Sequence, residues 1–124
     1  MSKFVQIKTE LRDLTMIKRS LDDLQLAYSE DSEYVHRWSG RRVQTPLLVR
    51  DSYLTFGLRA DEEGVYEVVG DDMQMRSIQS RLQQIQQRYA YHKVLAEVEQ
   101  AGFNLVEERV GDDNVIRLTV RRWQ

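Results

Sequence analysis

The side chains with the clearest chemical potential lie at the C-terminus, where Arg117, Thr119, Arg121 and Trp123 alternate with Ile116, Leu118 and Val120. Successive side chains of a strand point to opposite faces, so the aliphatic residues turn inward while the arginines and the tryptophan share the other face. Arg109, on the strand expected just before, joins them. Guanidinium groups beside an indole hold phosphates and stack a base, which makes Arg109, Arg117, Arg121 and Trp123 a candidate RNA-binding face. Cross-strand pairing with Glu107 neutralises the same face without any ligand. Arg41 and Arg42 with Trp38 form a smaller cluster of this kind.

Other chemistries find less to work with. The chain has 2 histidines, His36 and His92, on different elements and without ligand spacing, and it has no cysteine, so no imidazole or thiolate metal site is expected. The acidic pairs Asp22-Asp23, Asp71-Asp72 and Asp112-Asp113 read as helix surface, helix entry and hairpin turn rather than as a magnesium or calcium cage. Neither a phosphate-binding glycine loop nor a nucleophile elbow is present. Catalysis is not expected on these grounds, and no cofactor is called for.

With 18 basic and 20 acidic side chains the net charge is −2, which gives no global surplus for nucleic-acid binding and leaves any such role to a local face. Hydrophobic residues make up 41% of the 124 and are spread along the whole length, enough for the packed core of one domain spanning residues 1–124. No run of about 18 apolar residues occurs, so no transmembrane helix is predicted. The start, Met1 to Val5, leads straight into a strand pattern without a signal-peptide core.

The elements follow from periodicity and turn residues. Residues 4–9 alternate as a strand. Asp13 caps a helix in which Leu14, Ile17, Leu21 and Leu24 recur on one face. A strand meander comes next: Glu33–Trp38, then Leu47–Arg50 and Tyr53–Arg59 around Asp51-Ser52, then Val65–Val69 after the turn Asp61-Glu62-Glu63-Gly64. A long helix runs from Met73 to Ala101 and is closed by Gly102. Two strands, Phe103–Val110 and Val115–Trp123, flank the turn Gly111-Asp112-Asp113-Asn114.

The long helix carries two apolar stripes. Met75, Ile78, Leu82, Ile85 and Tyr89 share one face, and Tyr91, Val94, Leu95 and Val98 lie roughly opposite. Either the helix breaks near Arg88–Tyr91 so that both halves reach one core, or it continues unbroken. In the second case the distal half packs on the chain's own sheet and the first stripe meets another subunit or a partner.

Several segments together resemble a known family: Met1-Ser2-Lys3-Phe4, Ile7-Lys8-Thr9, Thr45-Pro46-Leu47-Leu48-Val49-Arg50, Phe56-Gly57-Leu58-Arg59, Tyr66-Glu67-Val68-Val69, Arg88-Tyr89-Ala90-Tyr91, Gly102-Phe103, Ile116-Arg117-Leu118 and Arg121-Arg122-Trp123. In this order they resemble the conserved hypothetical chloroplast reading frame thirty-five family, across essentially the whole chain. The resemblance implies a cyanobacterial cytoplasm or a plastid stroma and a domain to which no activity is assigned. It also implies a pathway shared with an ATPase of the AAA type.

The fold expected is α+β, with element order β-α-β-β-β-β-α-β-β and two helices packed on a mainly antiparallel sheet. The function expected is that of a non-catalytic accessory or adaptor protein, acting through protein–protein contacts in a photosynthetic cell. Its protein partner or second copy docks on the long helix at Met75, Ile78, Leu82, Ile85 and Tyr89. The alternative is an RNA-associated protein using the C-terminal strands.

Overall fold

In the computed structural model the described residues are 2–122, so Trp123 lies outside them. The element order is the expected one: β1 (Phe4–Lys8), α1 (Leu14–Asp23), β2 (Ala27–Val35), β3 (Arg42–Asp51), β4 (Leu54–Ala60), β5 (Tyr66–Asp71), a 3-10 turn (Asp72–Gln74), α2 (Met75–Gln100), β6 (Phe103–Val110) and β7 (Ile116–Arg122). The first five strands form one antiparallel sheet in the order β1-β5-β4-β3-β2, and β6 and β7 pair with each other as a second, two-stranded sheet.

Helix α1 starts where its capping residue dictates: the Asp13 carboxylate accepts the Met16 N–H at 3.1 Å. Its inner face and the first half of α2 cover one side of the large sheet. Ile17, Leu21, Ile78 and Ile85 there meet Leu47, Val49, Phe56, Leu58 and Val68, all essentially inaccessible to solvent. Gly70 lets α2 approach, since Ile78 Cδ1 sits 2.6 Å from where a β-carbon would stand.

Strand β2 differs from the stretch expected over Glu33–Trp38. It begins at Ala27, ends at Val35, and is an edge strand rich in Ser, Glu and Asp. Its polar outward residues protect a sheet edge and hide the apolar alternation that marks an inner strand. Its ladder to β3 is interrupted between Glu30 and Ser32, where Asp31 has φ 48° and Pro46 stands on the opposite strand.

Beyond that interruption the β2–β3 hairpin curls over the side of the sheet that the helices leave open. Tyr34, Leu48 and Val69 form a second, smaller core there, with Phe4 packed against it. Tyr34 comes from one edge strand and Phe4 from the other, so the sheet is partly rolled. Gly57 sits under this layer, with Thr45 Cγ2 and Val69 Cγ2 filling the space of its missing side chain.

Candidate functional site

Helix α2 is continuous over 26 residues and serves both sheets. Its first stripe belongs to the chain's own core: Ile78 and Ile85 are fully buried, Leu82 nearly so, and Tyr89 packs against them. Met75 is half-buried. The expectation that this stripe meets a partner is therefore corrected, because Ile78, Leu82 and Ile85 have no surface to offer one. The distal half, expected on the sheet, contains no buried residue, and β6 of the small hairpin packs beside it. Two apolar stripes on one helix thus answer to two sheets.

A polar junction ties these parts together at Arg88–His92. The Asp23 carboxylate, at the end of α1, accepts from Arg88 Nε at 3.0 Å and from His92 Nε2 at 2.6 Å through the same oxygen. Arg88 also reaches Glu108 of β6 at 3.3 Å and lies over the Tyr91 ring, 4.3 Å from its centroid. Partial burial pushes the Asp23 carboxyl up, but the hydrogen bonds from His92 and Arg88 outweigh it and hold Asp23 below the usual carboxylate range. Burial and then the Glu108 charge push the Tyr91 phenol up. Gln87 adds a hydrogen bond to the Asn114 carbonyl in the hairpin turn. The hairpin therefore folds back along distal α2 as an arm fixed by the Arg88–Glu108 ion pair and the Gln87 hydrogen bond.

One face of that arm is apolar. Leu105, Val110, Ile116, Leu118 and Val120 share it by register, with Glu108 across from Leu118 as its charged member, and a single helix covers it incompletely. Val110 remains 56% exposed and Val120 36%. Val94 on α2, Val106 at the register shift and Val115 in the turn are exposed as well. Of the nine exposed large apolar side chains among the described residues, these five lie in this arm.

The opposite face holds the predicted arginines. Arg109 stands directly across from Arg117, and Arg121 lies across from Asn104, so the register does bring the three to one side. Two of them are tied to acids: Arg109 to Glu107 at 2.7 Å and Arg117 to both oxygens of Asp113, at 3.0 and 3.4 Å. Trp123, the fourth member, falls outside the described residues.

The rolled side of the large sheet contains a feature that the sequence did not disclose. A cavity of about 750 Å³ opens there, lined by His36, Arg37, Arg50, Tyr53, Asp71 and Gln74 around the buried Tyr34 and Leu48. His36 is 1% exposed. Its Nδ1 accepts the Ser39 backbone N–H at 3.2 Å and sits 2.6 Å from Ser39 Oγ, which itself accepts the Arg41 N–H. A backbone N–H only donates, so Nδ1 is the acceptor and the ring proton resides on Nε2. Among the described residues that N–H has no hydrogen-bond partner, and Asp71 Oδ2 stands 3.6 Å away. Asp71 uses its other oxygen to cap the 3-10 turn, accepting the Met73 N–H at 2.9 Å. A lone histidine after a strand and an aspartate before a helix, so far apart in sequence, carry no local signal of this meeting.

Among the described residues no three His, Cys, Asp or Glu side chains converge as a metal site, and no helix is long and apolar enough to cross a membrane.

Comparison with known proteins agrees with the resemblance drawn from the segments. No solved structure matches the chain. The uncharacterized protein ycf35 of Guillardia theta is 30% identical over 128 residues, covering 100% of this chain and 99% of its own length. Those of Pyropia yezoensis and Cyanophora paradoxa are each 27% identical, over 99% and 100% of this chain. Residues 20–119, which run from α1 through the Arg88 junction to the arm, match a family described as protein of unknown function DUF1257, and the chain belongs to that family.

Proposed function

We propose that this protein is a non-catalytic adaptor that binds another protein through the arm formed by distal α2 and the β6–β7 hairpin. The observation that carries this reading is the concentration of exposed valines there: Val94, Val106, Val110, Val115 and Val120. A two-stranded sheet leaves one edge of each strand unpaired, and a hairpin with a half-covered apolar face is a natural seat for a partner strand or helix. The docking surface thus moves from Met75, Ile78, Leu82 and Ile85 to the other end of the same helix. The adaptor would work in a cyanobacterial cytoplasm or plastid stroma, and an AAA-type ATPase is the first partner to try.

The test is affinity capture with the intact chain and with Val110→Asp/Val120→Asp, run beside light scattering for self-association. A stoichiometric protein held by the intact chain and lost by the double variant, with unfolding temperature unchanged, supports the reading. Equal capture by both forms overturns it.

RNA association is the second reading, favoured by the shared face of Arg109, Arg117 and Arg121. The acids paired with Arg109 and Arg117 weigh against it. RNA binding through this face would weaken steeply as salt is raised. A salt-insensitive retention removes it.

A further inference from the structure

Independently of the arm, the cavity on the rolled side of the sheet has the chemistry of a ligand site. Its lining carries charges of both signs. Arg37 and Arg50 line it together with Asp71, yet among the described residues neither arginine lies within 4.0 Å of a carboxylate oxygen. Glu33, the other acid in the lining, is neutralised by Arg42 at 2.7 Å. Asp71 is held by the Met73 N–H at 2.9 Å, and the inaccessible His36 Nε2 stands 3.6 Å from its other oxygen, beyond hydrogen-bond reach. Its side chain is still 26% exposed, so the carboxylate is presented to the cavity rather than sealed beneath it.

Charges of both signs that line one cavity, with its two arginines unpaired among the described residues, complement a molecule that is itself dipolar. We propose that this cavity binds a small organic zwitterion, with its ammonium group on Asp71 and its carboxylate or phosphate on Arg37 and Arg50. The volume of about 750 Å³ is within the range of small-molecule sites. The buried Tyr34 and Leu48 give the cavity an apolar floor, and the exposed Tyr53 lines it nearer solvent. The guanidinium groups supply planar donor pairs that suit either a carboxylate or a phosphate.

The test uses the intact protein, isotope-labelled for amide spectra, and a probe panel of the common free amino acids with phosphoethanolamine. Each amino acid that binds is compared with its N-acetyl form, which lacks the ammonium, and its methyl ester, which lacks the carboxylate. The expected result is a saturable shift confined to residues 33–37, 48–55 and 71–74, with both blocked forms at least tenfold weaker. Asp71→Asn keeps a carbonyl for the Met73 N–H, so the turn stays capped. It should reduce zwitterion affinity at least tenfold while leaving the N-acetyl form unchanged. Arg50→Gln should do the same for the carboxylate end, leaving the ester unchanged. No shift from any probe at 10 mM overturns the proposal. So does equal binding of a zwitterion and its N-acetyl form, or full affinity in Arg50→Gln.

Discussion

Phe4 and Tyr34 stand on strands at opposite edges of the five-stranded sheet, yet their ring centroids lie 6.2 Å apart. A flat sheet would separate them by four inter-strand spacings, roughly 19 Å. The contact exists because the β2–β3 hairpin curls over Gly57 after the interruption opposite Pro46, and Arg41 completes it by lying over the Phe4 ring at 4.6 Å.

Gly57→Ala tests whether that curl needs the missing side chain. The new methyl group would stand 2.6 Å from Thr45 Cγ2 and 2.9 Å from Val69 Cγ2, inside a packed layer. Overpacking of this kind costs about 1–3 kcal/mol. Urea unfolding should show that loss, and Thr45→Ser in the same chain should return part of it by removing the closer methyl. A Gly57→Ala protein as stable as the parent would mean that the layer is loose.

Substitutions along α2 should divide sharply by position. Ile85 is fully buried against the large sheet, so Ile85→Ala should cost about 2–5 kcal/mol and Ile85→Asp should prevent folding. Val94 is 45% exposed on the distal half, and Val94→Asp should leave the unfolding midpoint nearly where it was. Circular dichroism across a denaturant series separates these outcomes.

That division shows how far the sequence could be read. Both stripes of α2 and nearly every element were legible, because periods of 3.6 and 2 survive in a single sequence. Which stripe faces the body was not, since each is apolar enough to be core. Length decides it: the helix of 26 residues spans about 39 Å, whereas the six-residue strand β5 that feeds it spans about 20 Å. The half nearer β5 covers the sheet, and the distal half overhangs until the hairpin folds back along it. The meeting of His36 with Asp71 was not legible for a different reason. It depends on the rolling of the sheet, which no local pattern encodes.

The Arg88 junction predicts a pH dependence with a definite sign. Asp23 has a folded-state pKa below its unfolded value, so between the two the unfolded chain binds more protons. Its contribution to stability is fully present above the unfolded value, about 4, and is lost as pH falls through the folded value. Asp72 and Asp113 are lowered too, by the hydrogen bonds from the Lys3 N–H and from Arg117, and act in the same direction. The stability of Asp23→Asn should therefore fall less steeply than that of the parent on acidification below about pH 4. Parallel curves for the two proteins would show that the contacts of Asp23 with Arg88 and His92 do not persist in solution.

Tyr89 gives the most local test of how α2 holds α1. Its hydroxyl oxygen accepts two backbone N–H groups, Arg12 and Asp13, each at 3.1 Å, at the entry to α1 where no helical carbonyl is available for them. Its ring packs against the main core, so Tyr89→Phe removes the acceptor and keeps the packing. Both amides are near the surface and can turn to water, which limits the loss to about 1 kcal/mol. Hydrogen exchange should quicken at Arg12 and Asp13, while the amides of Leu47 and Val49 exchange as before. Tyr91→Phe, whose ring meets Arg88 instead, should leave Arg12 and Asp13 untouched. If both variants speed exchange at the start of α1 equally, the whole Arg88–Tyr91 turn opens as one unit and Tyr89 is not the latch.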